Sequence, residues 1–357
     1  MSTTTARRME EFIVITRRTF TRLTAGIAIA AAIPIRASAQ TPPPEELELL
    51  TLVDTLYNKG WNAHDPNVVF DIIAADHVYN DPITPGIGTG PKGYFDLMTT
   101  YLGAFPDINF PIHALVPDTE NQIIGVRWSA DATQDGPIFG IPATHKHLRV
   151  PAMAIHTITE GKISHTFVIY DTLGMVTQLG LIPPTGSNPA STPEAALIVT
   201  MDGTPGPILS PALAATKARD FYNKIWNDQN PAITADLVTP DFQYIDPAVP
   251  TLPKGPQGYE ALVSSFLTGI PDLTITIDTV ASNGNAVAMH WTGTGTQTGE
   301  FLGIPATGKK VTAQAISFLT FKDSLISTNW SVFDALGILI QLGAIPPLGG
   351  GDATPGS

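Results

Sequence analysis

The amino-acid sequence predicts two tandem α+β domains. Three observations carry that reading: a length of 357 residues, a long internal repeat, and, in each repeat, helical spacing that gives way to alternating strands. Apolar residues make up 43% of the chain and charged residues only 14%, which excludes a disordered, solvated polymer. So many residues exceed what one ordinary core holds. There is no cysteine, which excludes disulfides, thiolate metal sites and cysteine nucleophiles.

Sliding the chain on itself exposes the repeat. Tyr57-Asn58-Lys59 with Trp61-Asn62 recurs as Tyr222-Asn223-Lys224 with Trp226-Asn227, an offset of 165 that persists to Pro106-Asp107 and Pro271-Asp272. The offset then becomes 163, pairing Trp128 with Trp291, Gly140-Ile141-Pro142-Ala143-Thr144 with Gly303-Ile304-Pro305-Ala306-Thr307, and Asp171 with Asp334. Over 57–107 there are 20 identities in 51 positions, and over 128–184 there are 23 in 57, too many for convergent patterning. The chain is a tandem duplication.

The elements follow in order. Residues 1–39 read as a twin-arginine export signal: Thr16-Arg17-Arg18-Thr19-Phe20-Thr21-Arg22, a weakly apolar stretch from Leu23 to Ile35, and Ala37-Ser38-Ala39 before Gln40. This places the protein in the periplasm or outside the cell, with no membrane span after cleavage. Removing six Arg and two Glu takes the formal charge from −13 to −17, which argues against nucleic acid or an anionic membrane as partner. Domain 1 spans 44–184 and domain 2 spans 211–347, joined by a Pro/Gly/Ser/Thr-rich linker, 185–210, and followed by a tail, 348–357. In each domain a helix opens the fold, carrying Leu49, Leu52, Val53 and Leu56 in one copy and Ala214, Ala218, Phe221 and Ile225 in the other. Pro44-Glu45-Glu46 and Ser210-Pro211 supply the start signals. A short strand is expected near His77 to Asp81 and Phe242 to Asp246, then a second helix to about Gly103 or Gly269, then three or four β-branched runs such as Leu273 to Ile277.

The run Trp291 to Lys309 and the ending Trp330-Ser331-Val332-Phe333-Asp334-Ala335-Leu336-Gly337, matched from Trp128 to Lys146 and from Phe167 to Gly180, resemble the SnoaL-like polyketide cyclase or ester cyclase family. That resemblance implies a nuclear-transport-factor-two-like cone: a strongly bent antiparallel sheet covered by N-terminal helices around an apolar pocket. Family members commonly dimerise through the sheet, so the resemblance also implies that the two domains pair as a covalent pseudo-dimer. The polyketide cyclases close a ring by an aldol reaction, using an acidic residue on the last strand and a histidine on the strand before. Those positions are Val168 and Ala154 in copy one, and Ser331 and Ser317 in copy two. Neither copy keeps the pair, and Gln134 and Gln297 stand where the family often has another histidine.

The remaining candidates for acid–base chemistry are few. Asp81 and Asp246 each end a strand before a proline, so each either aims a carboxylate at the cavity mouth or caps its own turn. His156 lies two residues beyond Ala154 on the same strand face and either donates in the cone or is simply hydrogen-bonded in place. Trp128, Tyr170, Trp291, Gln297, Gln134, Ser317, Asn329 and Ser331 complete the candidate pocket. Asp171 and Asp334 sit at helix N-cap positions. His145-Lys146-His147 spaces two imidazoles on one strand face, but no third ligand is evident, and no metal is assigned. No phosphate loop, dinucleotide fingerprint or Gly-x-Ser-x-Gly elbow occurs, so no cofactor is expected. Epoxide hydrolysis through an Asp-Arg-Asp relay has room in copy one only, because residues 222–347 contain no arginine. Three readings stay open: a cofactor-free cyclase, isomerase or hydrolase acting on a small apolar carbonyl or ring compound; a non-catalytic carrier of such a compound; or a chain in which one copy reacts and the other scaffolds.

Overall fold

Proline starts the first helix of each copy, at the position where its missing N–H costs nothing. The structure, a computed structural model, describes residues 42–82, 84, 86–182, 209–249 and 252–347; the expected export signal, most of the linker and the tail lie outside them. In copy one, α1 (Pro44–Val53) passes into a wider helical stretch, Asp54–Asn62, that turns Tyr57 and Trp61 inward, and a short turn leads into α2 (Val69–Ile72). Then follow β1 (Ile73–Asn80), α3 (Gly90–Ala104), β2 (Ile112–Asp118), β3 (Ile123–Thr133), β4 (His147–Thr159), β5 (Lys162–Tyr170) and α4 (Thr172–Gln178). Copy two repeats the order: α5 (Pro211–Tyr222), α6 (Thr234–Leu237), β6 (Val238–Ile245), α7 (Pro256–Gly269), β7 (Thr274–Ser282), β8 (Ala286–Thr296), β9 (Lys310–Lys322), β10 (Leu325–Phe333) and α8 (Ala335–Leu342).

Local chemistry explains the boundaries. Ser210 Oγ accepts from the Leu213 N–H at 3.2 Å to cap α5. Asp171 and Asp334 cap α4 and α8, accepting from Gly174 and Gly337 N–H at 2.7 and 2.8 Å. Gly90 opens α3 with φ +71°, and a Cβ there would meet the Ala75 carbonyl oxygen at 2.5 Å, so the turn from strand to helix requires glycine.

Each copy forms one five-stranded sheet, in the orders β1-β5-β4-β3-β2 and β6-β10-β9-β8-β7. Four strands of each are antiparallel, as expected. The first strand of each copy joins the edge parallel to the last, so the sheet is mixed. Alternation divides the faces. In β3 and β4, Val126, Trp128, Leu148, Val150, Ala152 and Ala154 turn inward to the core beneath the helices, while Met153 and Ile155 turn outward.

The outward faces of the two sheets lie against each other. Val116, Met153, Ile155, Phe167 and Ile169 of copy one form one buried cluster with Ala288, Ile316, Phe318, Trp330 and Val332 of copy two. The contact relates equivalent residues. The Arg127 guanidinium lies 4.4 Å from the Trp330 ring centroid, and His290, which aligns with Arg127, stacks on Phe167, which aligns with Trp330, at 3.7 Å. Gly125 meets its own counterpart: a Cβ on it would stand 2.2 Å from the Ala288 Cβ. Among the described residues, no helix is long and apolar enough to cross a membrane.

Candidate functional site

Inward-facing aromatic residues leave a hollow in each copy. Copy one encloses a cavity of about 70 Å³, lined by Tyr57, Trp61, Tyr79, Tyr94, Tyr101, Phe105, Phe110, Trp128 and Tyr170, with Val150, Val168 and Met175 among the aliphatic neighbours. Its side-chain polar groups are five tyrosine hydroxyls and two indole N–H groups. Copy two encloses about 50 Å³, lined by Tyr222, Trp226, Tyr244, Tyr259, Phe266, Trp291, Phe301 and Phe333. A dry apolar cavity of about 150 Å³ holds benzene, so a ring-sized guest must displace side chains at either mouth.

A buried polar chain backs the first cavity. His156 Nε2 lies 3.1 Å from the Tyr57 hydroxyl, and its Nδ1 lies 3.0 Å from Thr166 Oγ1. Thr166 Oγ1 in turn lies 3.0 Å from His77 Nε2. His156, Thr166 and His77 are all fully buried. Burial pushes His156 down to about 3 and His77 to about 4, so both imidazoles are neutral at physiological pH. Burial raises the Tyr57 phenol well above its ordinary value, which keeps the hydroxyl a donor.

Asp81 belongs to a different group. Its Oδ1 accepts from the Thr84 N–H at 2.7 Å; Thr84 Oγ1 lies 3.4 Å from the Tyr101 hydroxyl, which lies 3.2 Å from that of Tyr170. Its charge adds to burial in opposing ionisation of Tyr79, Tyr101 and Tyr170. The structure therefore does not bring Asp81 and His156 together: Thr166 and Tyr170 mark the two groups, four residues or about 13 Å apart along β5.

Copy two differs at the same places. Phe242 and Leu319 replace His77 and His156. Ser317 Oγ gathers the Tyr222 hydroxyl at 2.6 Å, the Trp291 indole N–H at 3.0 Å and Ser331 Oγ at 3.0 Å, while Asn329 Nδ2 donates to Tyr222 at 3.3 Å. Asp246 is buried, accepting from the Ala248 N–H at 2.9 Å and the Tyr244 hydroxyl at 3.2 Å. Burial above all, with the nearby Asp171 charge, pushes its carboxyl up to about 8.

Of the candidate pocket residues, Trp128, Tyr170 and Trp291 line the cavities, while Ser317, Asn329 and Ser331 stand behind the second. Gln134 and Gln297 line neither. Gln134 Nε2 donates to the Gly136 and Pro142 carbonyls and its Oε1 accepts from Thr144, closing the loop between β3 and β4; Gln297 does the same with Gly299, Pro305 and Thr307. That clip, with positive φ at Gly140 and Gly303, accounts for the repeated Gly-Ile-Pro-Ala-Thr segment. His145 and His147 pair with separate carboxylates, Asp135 at 2.9 Å and Asp131 at 2.7 Å. Tyr57, Tyr79 and Tyr94 are marked by no catalytic motif, yet all three recur at the same places in copy two, and the self-alignment is the signal that finds them.

A family model described as SnoaL-like polyketide cyclase matches the chain twice, at residues 51–179 and 216–342. Among solved structures, TsrD from Streptomyces laurentii is 26% identical, with 38% of this chain and 99% of that one covered and a TM-score of 0.36. A SnoaL-like polyketide cyclase from Agrobacterium tumefaciens str. C58 is 24% identical, with 34% and 92% covered and a TM-score of 0.30. No curated protein matches the chain.

Proposed function

The chain belongs to the SnoaL-like polyketide cyclase family, in two tandem copies, and from that premise we propose that copy one is a cofactor-free acid–base enzyme acting on a small, apolar carbonyl or ring compound. The observation that carries this reading is an aromatic cavity whose hydroxyl Tyr57 is held from behind by a buried, neutral imidazole. Proton transfer next to a carbonyl needs a base and a donor where the oxyanion forms. Asp81, behind the Tyr101 and Tyr170 hydroxyls and apart from Tyr57, takes the proton from a carbon conjugated with the carbonyl in a guest that spans the two groups. Tyr57 donates a hydrogen bond to the carbonyl oxygen as its charge grows, and His156 fixes the phenol in place. Ring closure or isomerisation follows when the enolate carbon attacks its acceptor and Asp81 returns the proton; hydrolysis would use the same carboxylate to activate water.

Copy two, with Phe242 and Leu319 at the histidine positions, serves as scaffold in this reading, and the two copies act as the covalently linked counterpart of a two-chain dimer. Thermal-shift screening against lactones, epoxides and aromatic ketones identifies the ligand class first. With a ligand that turns over, Tyr57→Phe is expected to lower kcat by about a hundredfold to a thousandfold, the usual cost of an oxyanion donor. Asp81→Asn should abolish turnover while the melting temperature holds. Unchanged rates in both variants would refute the assignment.

A second reading, a non-catalytic carrier, is favoured by one observation: Asp81 and Asp246 each spend an oxygen on a backbone N–H of their own loop. Native mass spectrometry of the exported protein separates the two, since a carrier retains a small molecule and shows no turnover. Export is part of the proposal, supported by the Arg17-Arg18 leader. Replacing both arginines by lysine should hold the protein in the cytoplasm on cell fractionation, and continued export would remove that element.

A further inference from the structure

The two copies differ at one indole. Trp291 of copy two donates its N–H to Ser317 Oγ, whereas Trp128, its counterpart in the first cavity, has a buried indole N–H that makes no well-formed hydrogen bond and only approaches the Tyr57 hydroxyl. The reason lies in the neighbouring strand: Ser317 aligns with Ala154, so the hydroxyl that occupies the indole in copy two is missing in copy one. A buried donor without a well-formed hydrogen bond calls for an explanation. Trp128 lines the cavity beside Tyr57, with ring centroids 6.0 Å apart, and its N–H is near enough to ease the ionisation of that phenol. Tyr57 is held by His156; when the imidazole donates through Nε2, the phenol keeps its own O–H for a guest.

We infer that Trp128 Nε1 and the Tyr57 hydroxyl form a two-donor subsite for one oxygen of an acceptor-only ligand, a ring-borne carbonyl, enolate or phenolate, and that Ser317 closes the equivalent subsite of copy two. The inference rests on the acid–base reading above for its place in a reaction, but the subsite itself is a matter of binding. The indole N–H only donates, so the subsite favours a ligand atom that accepts over an amine or other donor. Copy one is therefore the ligand-receiving half because, at the place that faces the indole, it lacks the hydroxyl that Ser317 supplies in copy two.

The probe is 4-nitrophenolate, a small ring bearing one anionic acceptor oxygen, followed by its absorbance in titrations of the full mature chain. The wild-type protein should bind one equivalent. Trp128→Phe, which keeps the ring and removes the N–H, should weaken binding about tenfold to a hundredfold, the usual scale for a hydrogen bond to a charged group. Ala154→Ser installs the residue that copy two already carries at that place and should weaken binding comparably while the fold is kept. Ser317→Ala should raise the stoichiometry from one to two. Equal affinity in wild type, Trp128→Phe and Ala154→Ser, or no binding by the wild type, would overturn the subsite, and the acid–base reading would still stand or fall on the Asp81→Asn kinetics. Binding with the expected pattern and no turnover of any carbonyl ligand would keep the subsite and remove the enzyme.

Discussion

Gly125→Val is expected to destabilise the folded chain by about 3 kcal/mol, the upper part of the range for overpacking a well-filled interior. The position is not a turn; it is a crossing point. A Cβ there would sit 2.2 Å from the Ala288 Cβ and 3.1 Å from Phe318 Cζ, closer than any side chain can yield without backbone movement. Because β3 and β8 bring their outward faces together at this point, the added atoms push the sheets apart and expose the cluster of Met153, Ile155, Phe167, Ile316 and Trp330. Urea unfolding followed by tryptophan fluorescence reads the loss, and Trp330 reports on the contact itself. Pairing Gly125→Ala with Ala288→Gly moves the methyl across the contact and should recover much of what Gly125→Ala alone loses. An unchanged midpoint for Gly125→Val would mean the two sheets do not meet here in solution.

Stability should also fall between pH 7 and 8, a range where most carboxylates have long finished titrating. Asp246, pushed up to about 8 by burial, keeps its proton in the folded state, while the unfolded chain releases it near pH 4. The folded state thus binds more protons between those values, and stability drops as pH rises, by at most about 1.4 kcal/mol per pH unit for one group. Asp171, raised to about 6, adds to the slope only in the lower part of that window. The imidazoles of His77, His113, His156 and His290, fully buried in the case of His77 and His156 and half-buried in the other two, act in the opposite sense. Held at about 4, 4, 3 and 4 by burial, they refuse protons that the unfolded chain accepts below about 6.5, so stability also falls on acidification. The optimum should lie near pH 7, where the protons refused by the four imidazoles and those kept by the aspartates balance, and the alkaline arm belongs to Asp246. Asp246→Asn should flatten the arm in thermal melts taken from pH 7 to 8.5; the same slope in the variant would assign the arm to another group.

Fold and site were unequally legible. The duplication could be read outright because identical residues recur at a constant offset, and the order of helices and strands followed from their periodicity. The parallel pairing of β1 with β5 could not, since the alternation of one strand carries no mark of the direction of its neighbour. Gln134 and Gln297 stand where the resembled family often has a histidine, which suggests a pocket residue, but in the fold they close a loop. His156 was legible as an inward-facing histidine; its partner Tyr57 was not, because the two are 99 residues apart and only the fold joins them. The aspartates were legible as strand ends, yet whether a carboxylate faces a cavity or its own backbone depends on loop geometry that residue type leaves open.

When two separate but identical chains meet about a two-fold axis, every substitution at the contact is made twice, and the residue on the axis faces itself. Here the residues that correspond across the contact are encoded separately. Glycine faces alanine, and an arginine on tryptophan answers a histidine on phenylalanine. Joining the copies in one gene has therefore released each half from having to suit its twin, and one half can specialise while the other holds the shape.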